Sequence, residues 1–315
     1  MSLKIKRESL TKCLYLLLSL SYGFFAIASL ERLNLLGSGD IHNYIDFFSY
    51  WDLTLAKENF SIVADGVFRI LVVYLIAVLN YDAYEVLTLL AFITSSVFLF
   101  ISLENIRSRN RSIYLFPLLI LVFFTPFITN LFVSGIRSGI AFTIVMAAIL
   151  YFEKVTKNIL FALGCIIHLS MIPIVGLTIL FKILDKIKIK SSFRFFISII
   201  FSLLVVLIAK FLDFTSPISQ SFLYNTLIFY FALLIIFIDK EAFTNFYGFI
   251  SISLVLIYLM GITIDVSFIR YFGYSILFYL FYLMKEGQKE KIQIFTIGYL
   301  PIFALLGFYT VYNFM

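Results

Sequence analysis

Apolar runs of about 20 residues recur along the chain from Leu14 onward, and a helix needs about that many residues to cross a bilayer. Hydrophobic residues make up 62% of the 315 residues and charged residues 13%, which is too little charge to cover a soluble protein of this size. The excess apolar surface must therefore face lipid. We predict an all-α, polytopic integral membrane protein with about 9–11 transmembrane helices plus short re-entrant helices, built as a single domain over residues 1–315.

Full-length spans are predicted at residues 13–30, 86–103, 113–129, 136–152, 193–210, 221–238, 246–262, 269–284 and 292–311. Two other apolar stretches fit a span less well. The stretch 66–80 is short and carries Arg69, and the stretch 159–181 is interrupted between His168 and Pro173. We therefore expect these two stretches to differ from the full spans.

The basic residues indicate the topology, because lysine and arginine in short loops mark the cytoplasmic side. If 66–80 and 159–181 each enter and leave on one side as re-entrant elements, every basic cluster and the N-terminus are cytoplasmic. If both stretches span, residues 81–158 are inverted. We favour the re-entrant arrangement, which implies a water-filled cavity, since non-helical backbone at that depth needs polar partners. The net charge of +6 then reflects topology, and no nucleic-acid partner is expected.

The longest polar region is a predicted external loop over residues 31–65, which contains the segment 39–46 with the sequence Gly-Asp-Ile-His-Asn-Tyr-Ile-Asp. Acids, an imidazole, an amide and a phenol beside aromatic side chains suit the recognition of sugars. The alternative is that the segment caps a following interfacial helix, with Asp40 as its N-cap. The residue types alone favour neither interpretation.

Arg137 lies at the external end of a very apolar helix. An arginine in a membrane is costly unless it pairs, snorkels or faces a wet cavity, so it marks a functional position by default. Its guanidinium matches phosphate oxygens, and we favour a phosphate site over a snorkelling anchor or an ion pair with Asp65. Small residues nearby leave room for a bulky ligand or for close helix contact, and they are Ser134, Gly135, Ser138 and Gly139.

Three other polar residues within apolar stretches are candidates for the site. His168, near the middle of the interrupted stretch, is a candidate general base or phosphate ligand, and the alternative is a buried histidine tied to a backbone carbonyl. Arg270 lies at the external end of a late span, where a local pair with Asp265 is the alternative. Arg69 follows Asp65 by four residues, the spacing of a helical ion pair, so we interpret it as mainly structural with a secondary role beside the cavity.

Several short motifs occur in a defined order along the chain. They are the polar segment 39–44, the helix start 136–141, a basic turn with Lys154 and Lys157, the break at 167–170 and the late pair Arg270 and Tyr271. This ordered set resembles the EpsG/Wzy-type polysaccharide polymerases of bacteria, and the resemblance covers most of the chain. Asp65 stands near the place where the family often has a glutamate, before the short amphipathic element.

The resemblance implies that the protein joins oligosaccharide repeat units carried on undecaprenyl diphosphate, at the outer face of the bacterial cytoplasmic membrane. The product would be O-antigen, capsule or another exopolysaccharide, and the expected partners are the lipid-linked oligosaccharide, a chain-length regulator and a flippase. The catalytic residues implied are Asp40, Arg137, His168 and Arg270. The resemblance also assigns Tyr44 to the substrate. The other substrate-binding candidates are chosen for their residue types and positions, and they are His42, Arg69, Tyr271 and Tyr274.

The chemistry expected from the residues agrees with this function. A diphosphate leaving group needs its charge stabilised, which many enzymes achieve with a metal held by aspartates. This chain offers arginines instead and lacks Asp-rich metal motifs and Gly-rich nucleotide loops, so we expect a metal-independent glycosyltransferase without a cofactor. A lipid-linked oligosaccharide flippase or a polysaccharide ligase are the alternatives.

Overall fold

The computed structural model describes residues 2–35, 40–49, 66–109, 120, 122–133, 135–211, 240–262, 264 and 268–286. These residues form helices and no strand, so the all-α prediction is confirmed for the described part of the chain. They divide into two compact units, of which the first ends at Ile172 and the second begins at Pro173. The predicted spans at 221–238 and 292–311 lie outside the described residues.

The first unit contains the helices α1 (Ser2–Leu35), α2 (Asp40–Ser49), α3 (Gly66–Leu79), α4 (Ala83–Arg109), α5 (Pro126–Phe132), α6 (Ile136–Tyr151) and α7 (Lys154–Ile167), followed by a 3-10 turn at Leu169–Met171. The second unit contains α8 (Ile172–Lys186), α9 (Ser191–Phe211), a 3-10 turn at Lys240–Thr244, α10 (Phe246–Gly261) and α11 (Ile269–Glu286). In the first unit α1 packs along α4, and α6 packs along α7. In the second unit α10 packs against both α9 and α11.

Three of the described helices are long and apolar enough to cross a bilayer, namely Ser9–Leu35 within α1, Ala83–Asn105 within α4, and the whole of α9. The helices α3, α6 and α10 are apolar but shorter. Along α9 the residues Arg194, Ser198, Ser202 and Val206 are buried at intervals of four, while large apolar side chains on the other sides are exposed. This distribution is typical of a helix with one side against protein and the other against lipid.

The predicted loop over residues 31–65 needs correction in two places. The helix α1 continues to Leu35, and α2 occupies residues 40–49. The reason is visible in the spacing of the apolar residues Ile41, Tyr44, Ile45 and Phe48, which places them on one face of a helix. The remaining part, from residue 50 to residue 65, lies outside the described residues.

The predicted span at 113–129 also differs from the structure. Thr125 has an extended backbone, with φ −74° and ψ 151°, and the short helix α5 begins at Pro126. Proline lacks the N–H of a helical bond and disfavours helical backbone in the residue before it, so the helix cannot run through this point. The segment therefore turns at Thr125 instead of continuing to residue 129.

At this turn two backbone carbonyls lose the partner that a continuing helix would give them, and nearby hydroxyls bind both of them. The Val122 carbonyl also accepts the Thr125 N–H at 3.1 Å. The Thr125 hydroxyl donates to the carbonyl oxygen of Val122 at 2.7 Å. The carbonyl oxygen of Phe123 accepts from the Tyr22 hydroxyl at 2.9 Å and from the Thr129 hydroxyl at 3.2 Å. Because unsatisfied backbone groups are expensive away from water, these hydroxyls stabilise the break and connect α1 to it.

The second unit is joined by serines on facing helices. The hydroxyls of Ser198 and Ser253 lie 2.6 Å apart, and the Ser202 hydroxyl donates to the Ser253 carbonyl at 3.2 Å. On the opposite side of α10, the Ser251 hydroxyl donates to the Ser275 carbonyl of α11 at 2.8 Å. Small polar residues allow helices to approach closely and to bond across the contact, as they do in membrane helix pairs.

The Tyr22 hydrogen bond gives a stability prediction. We expect Tyr22→Phe to lower the free energy of unfolding by about 1 kcal/mol, because one donor to a buried carbonyl is lost while the ring still packs on Phe123. Thermal unfolding of the purified protein in detergent measures this change. The matched control is Tyr74→Phe, whose side chain is exposed and should leave the unfolding temperature unchanged. Equal behaviour of the two variants would contradict the prediction.

Candidate functional site

The helix α2 packs its aromatic residues onto α3. The rings of Tyr44 and Phe48 lie 5.8 Å and 6.1 Å from the ring of Phe68, measured between centroids. Phe68 is fully buried and Phe48 nearly so. A helix of ten residues is marginal alone, so these ring contacts, together with packing of α2 against α1 and α4, hold it in place.

Two arginines stack on aromatic rings of this same helix. The guanidinium carbon of Arg69, from α3, lies 4.5 Å from the centroid of the Phe47 ring. The guanidinium carbon of Arg137, from the first turn of α6, lies 5.1 Å from the centroid of the Tyr44 ring. Both distances are within the range of an attractive cation–π contact. Three residues predicted separately, Tyr44, Arg69 and Arg137, therefore meet at one place.

A cavity of about 270 Å³ lies between these helices. Its described lining consists of Asn43, Tyr44, Phe47, Phe48, Phe68, Arg69 and Arg137. The volume is just below the roughly 300–1,000 Å³ typical of sites for drug-sized molecules. The cavity therefore suits the head of a ligand whose remainder extends elsewhere.

The chemistry of the lining favours an anion that carries a flat apolar surface. The described lining residues include two guanidinium groups and no carboxylate, so the cavity has a positive character. Guanidinium forks bind phosphate oxygens through paired hydrogen bonds. The aromatic faces and the Asn43 amide add the apolar and polar contacts that a sugar ring requires.

The position of Arg137 is fixed by close contact between α5 and α6. A Cβ atom built on Gly139 would overlap the carbonyl oxygen of Leu131 in α5, so only glycine fits there. One turn earlier, the Gly135 N–H donates to the Asn130 carbonyl at 2.7 Å. The small residues around Arg137 were expected to provide either space for a ligand or close helix contact. Gly139 provides close helix contact.

His168 lies at the end of α7 that is next to Arg137. A two-residue connection joins α6 to α7, and a Cβ on Gly164 would lie 3.2 Å from the Ala141 carbonyl. One turn beyond this contact, toward the start of α6 and toward the end of α7, the next residues are Arg137 and His168. The two residues therefore lie at the same end of this antiparallel helix pair. The 3-10 turn that follows His168 contacts α6 as well.

The hydrogen bond of His168 determines which nitrogen can act. The predicted interruption at this residue is confirmed, since α7 ends at Ile167 and a 3-10 turn begins at Leu169. The Nδ1 atom accepts the backbone N–H of Ser170 at 3.1 Å, so a neutral ring carries its hydrogen on Nε2. In that form the ring can donate to an anion through Nε2 but cannot take up a proton there. One partner of the ring is thus a backbone N–H.

The described lining of the cavity includes none of the other predicted residues. Asp40 and His42 belong to the first turn of α2, before Tyr44, and their side-chain positions lie outside the described part. Arg270 is the second residue of α11 in the second unit and is partly exposed. In the same helix Tyr274 is fully buried and Tyr271 is 8% exposed, with their ring centroids 6.1 Å apart, so both rings are packed against protein.

The structure adds Asn43, Phe47, Phe48 and Phe68 to the predicted site residues. The signal for the first three was present in the sequence, because Asn43 and Phe47 are four residues apart, as are Tyr44 and Phe48. Because the segment was interpreted as a loop, its helical spacing did not contribute to the prediction of the site. The predicted partner of Arg69, Asp65, lies outside the described residues.

Comparison of the chain with protein-family models, with curated proteins and with solved structures finds no match. What the protein does must therefore be inferred from its residues and their geometry.

Substitutions at His168 test its structural contribution. We expect His168→Leu to lower the free energy of unfolding by about 1 kcal/mol, because the Ser170 N–H loses its acceptor. His168→Asn should remain close to the wild type, since an asparagine oxygen can accept from the N–H two residues on. Thermal unfolding compares the two variants, and a leucine variant as stable as the wild type would show that the bond contributes nothing.

Proposed function

We propose that the protein is a multi-pass enzyme of the bacterial cytoplasmic membrane that polymerises oligosaccharide repeat units linked to undecaprenyl diphosphate. The observation that carries the proposal is the cavity in which Arg69 and Arg137 stack on the aromatic rings of α2. A lipid-linked sugar diphosphate presents an anion directly beside a sugar ring. The cavity offers guanidinium groups directly beside aromatic faces, which is the complementary arrangement.

The membrane location is supported by the three helices long enough to cross and by the apolar surface of α9. Six further predicted spans, of which the one that begins at residue 113 ends at Thr125, the re-entrant form of the stretches 66–80 and 159–181, and the cytoplasmic N-terminus complete the proposed topology. In this topology the N-terminus of α6 is at the outer face. Arg137 would then meet lipid-linked substrate after that substrate has been moved across the membrane.

The proposed reaction transfers the growing chain from its lipid diphosphate to a hydroxyl of the next lipid-linked unit. The hydroxyl oxygen bonds to the anomeric carbon of the donor sugar, and the bond from that carbon to the diphosphate oxygen breaks. The diphosphate leaves with the electron pair, and its increasing charge is stabilised by the guanidinium of Arg137 with Arg69 beside it. No metal is required for this stabilisation.

The proton of the attacking hydroxyl needs a base, for which the sequence offered Asp40 or His168. The bond from Ser170 to Nδ1 favours His168 as a donor to phosphate through Nε2, so we assign the base to Asp40. Asp40 opens the helix that carries Tyr44 and Phe47. His42 and Tyr44 are proposed to hold sugar, and Arg270 to bind the second lipid diphosphate. The buried rings of Tyr271 and Tyr274 would support the helix that carries Arg270.

The direct test supplies the purified protein with its lipid-linked repeat unit alone. We expect a ladder of products that differ by one repeat unit, with release of undecaprenyl diphosphate, measured by gel separation and mass spectrometry. Passage of the unit across a vesicle membrane without a covalent change would support a flippase instead. Transfer of a finished chain to another acceptor, without a ladder, would support a ligase.

The arginines of the cavity give a graded prediction. Arg137→Ala should reduce the rate of polymerisation by about 100-fold or more, as removal of a donor to a developing anion does in other enzymes. Arg69→Ala should reduce it by about 10-fold to 100-fold, the range for one hydrogen bond to a charged group. Polymer length in cells and the rate of ladder formation measure both effects, at matched membrane levels.

The control variant is Arg32→Ala, which removes an arginine from the last turn of α1, outside the cavity lining. It should polymerise at the wild-type rate. Long polymer from Arg137→Ala at normal membrane levels would show that the assignment of Arg137 is wrong. Equal losses in all three variants would indicate a general effect of charge and not a site.

A further inference from the structure

The connection between α8 and α9 concentrates positive charge at the end of a helix that is long enough to cross a bilayer. Lys182 and Lys186 in the last two turns of α8, and Lys188 and Lys190 in the connection itself, are all exposed. The helix α9 begins at Ser191 and is apolar through to Phe211. If α9 spans, residues next to its first turn lie at the depth of the lipid headgroups. We name this set of four lysines the basic turn.

A buried arginine holds the basic turn in shape and neutralises its acid. Asp185 is the sole carboxylate in the segment 182–194, and its Oδ1 lies 3.2 Å from Nη2 of Arg194. The Nε of Arg194 donates to the Ile189 carbonyl at 2.9 Å, and its guanidinium carbon lies 5.1 Å from the centroid of the Phe181 ring. Arg194 is only 6% exposed. The lysines are therefore presented by a rigid turn whose one acid is already paired.

The backbone at Lys188 is a second and independent observation on this turn. The Ile189 N–H donates to the Leu184 carbonyl and the Lys188 N–H to the Asp185 carbonyl, both at 3.0 Å, which is the Schellman ending of a helix. Lys188 occupies the left-handed position of this motif, with φ 58°. Glycine is the usual residue there, because a side chain disfavours that conformation. At this position the backbone conformation favours glycine, so the charged side chain of Lys188 is present despite a local conformational cost.

Large apolar side chains flank the lysines and are also exposed. Ile183 and Ile187 are 49% and 62% exposed on the α8 side, and Phe193 and Phe196 are 64% and 60% exposed on the α9 side. A soluble acidic protein or a nucleic acid would leave these side chains in water. A lipid offers an anionic headgroup for the lysines and acyl chains for the apolar residues, so the pattern favours lipid.

We propose that the basic turn is a binding site for the headgroup phosphate of an anionic phospholipid. The lysines contact the phosphate, Arg194 keeps the turn in position, and the exposed isoleucines and phenylalanines lie among the acyl chains. This site belongs to the second unit and is independent of the arginine cavity and of the polymerase reaction. It would fix the depth of α9 in the membrane and make the protein sensitive to the anionic lipid content.

Native mass spectrometry of the full-length protein in detergent tests this proposal. The protein is mixed with equal amounts of phosphatidylglycerol and phosphatidylcholine, and the retained lipids are counted. We expect preferential retention of phosphatidylglycerol by the wild type. Replacement of all four lysines by glutamine should weaken this retention on the order of 100-fold or more, and Lys188→Gly alone about fivefold, the factor equivalent to ~1 kcal/mol for each basic residue at a membrane surface.

Two controls separate lost binding from lost folding. Lys188→Gly places the favoured residue at the left-handed position, so its unfolding temperature should equal or exceed that of the wild type while its lipid retention falls. Lys210→Gln removes an exposed lysine near the other end of α9 and should retain phosphatidylglycerol like the wild type. Unchanged retention after loss of the four lysines, equal retention of phosphatidylcholine, or the same loss in Lys210→Gln would overturn the proposal.

Discussion

The backbone has to satisfy its own polar groups wherever water is excluded, and this constraint shapes the site more than any single side chain. The first unit contains two helix breaks, one at Thr125 before Pro126 and one at His168. At the first, hydroxyls of Tyr22, Thr125 and Thr129 bind the freed carbonyls, and at the second the imidazole of His168 accepts a freed N–H. Each break is therefore stable where it occurs and can serve as a fixed point.

These fixed points determine where the charged residues are. The first break makes α5 short, so that α6 begins against it and Arg137 falls in the first turn of α6. The second break ends α7 beside the same turn. The short helix α2 then covers the cavity, with one ring for each arginine. Since α2 is too short to be stable alone, the proposed binding of an anion by the arginines would depend on the packing that positions α2.

The sequence predicted the helices well where the apolar runs are uninterrupted. The predicted span 136–152 corresponds to α6 and 246–262 to α10 within one residue, because an apolar run bounded by polar residues leaves few alternatives. The span through residue 129 was misplaced because Pro126 was counted as part of an apolar run, although its missing N–H ends a helix. The loop at 40–49 was misassigned because its polar residues outweighed the helical spacing of its apolar ones.

Several residues of the site were predicted from the sequence, but their proximity in space was not. Tyr44, Arg69 and Arg137 were each selected for their chemistry, yet nothing in their sequence separation shows that two arginines share one aromatic helix. Phe47, one of the four residues that were missed, is an ordinary apolar residue until α3 brings Arg69 over its ring. Aromatic contacts of this kind depend on which helix faces which, and such long-range packing is the part that a single sequence specifies least.

The chain uses its two kinds of cation for different purposes, and hydration explains the difference. Arg69, Arg137 and Arg194 each stack on an aromatic ring, and Arg194 is almost fully buried. A guanidinium is weakly hydrated and keeps its charge when covered, so it tolerates such positions. An ammonium group is strongly hydrated and loses more on burial, and the lysines at residues 182–190 accordingly remain exposed. Arginine therefore suits the enclosed contact with a diphosphate proposed for the cavity, whereas lysine suits a hydrated contact with headgroups at the membrane surface.

Exchange of arginine for lysine in the cavity would keep the positive charge. It would lose the planar contact with Tyr44 or Phe47 that orients the charged group.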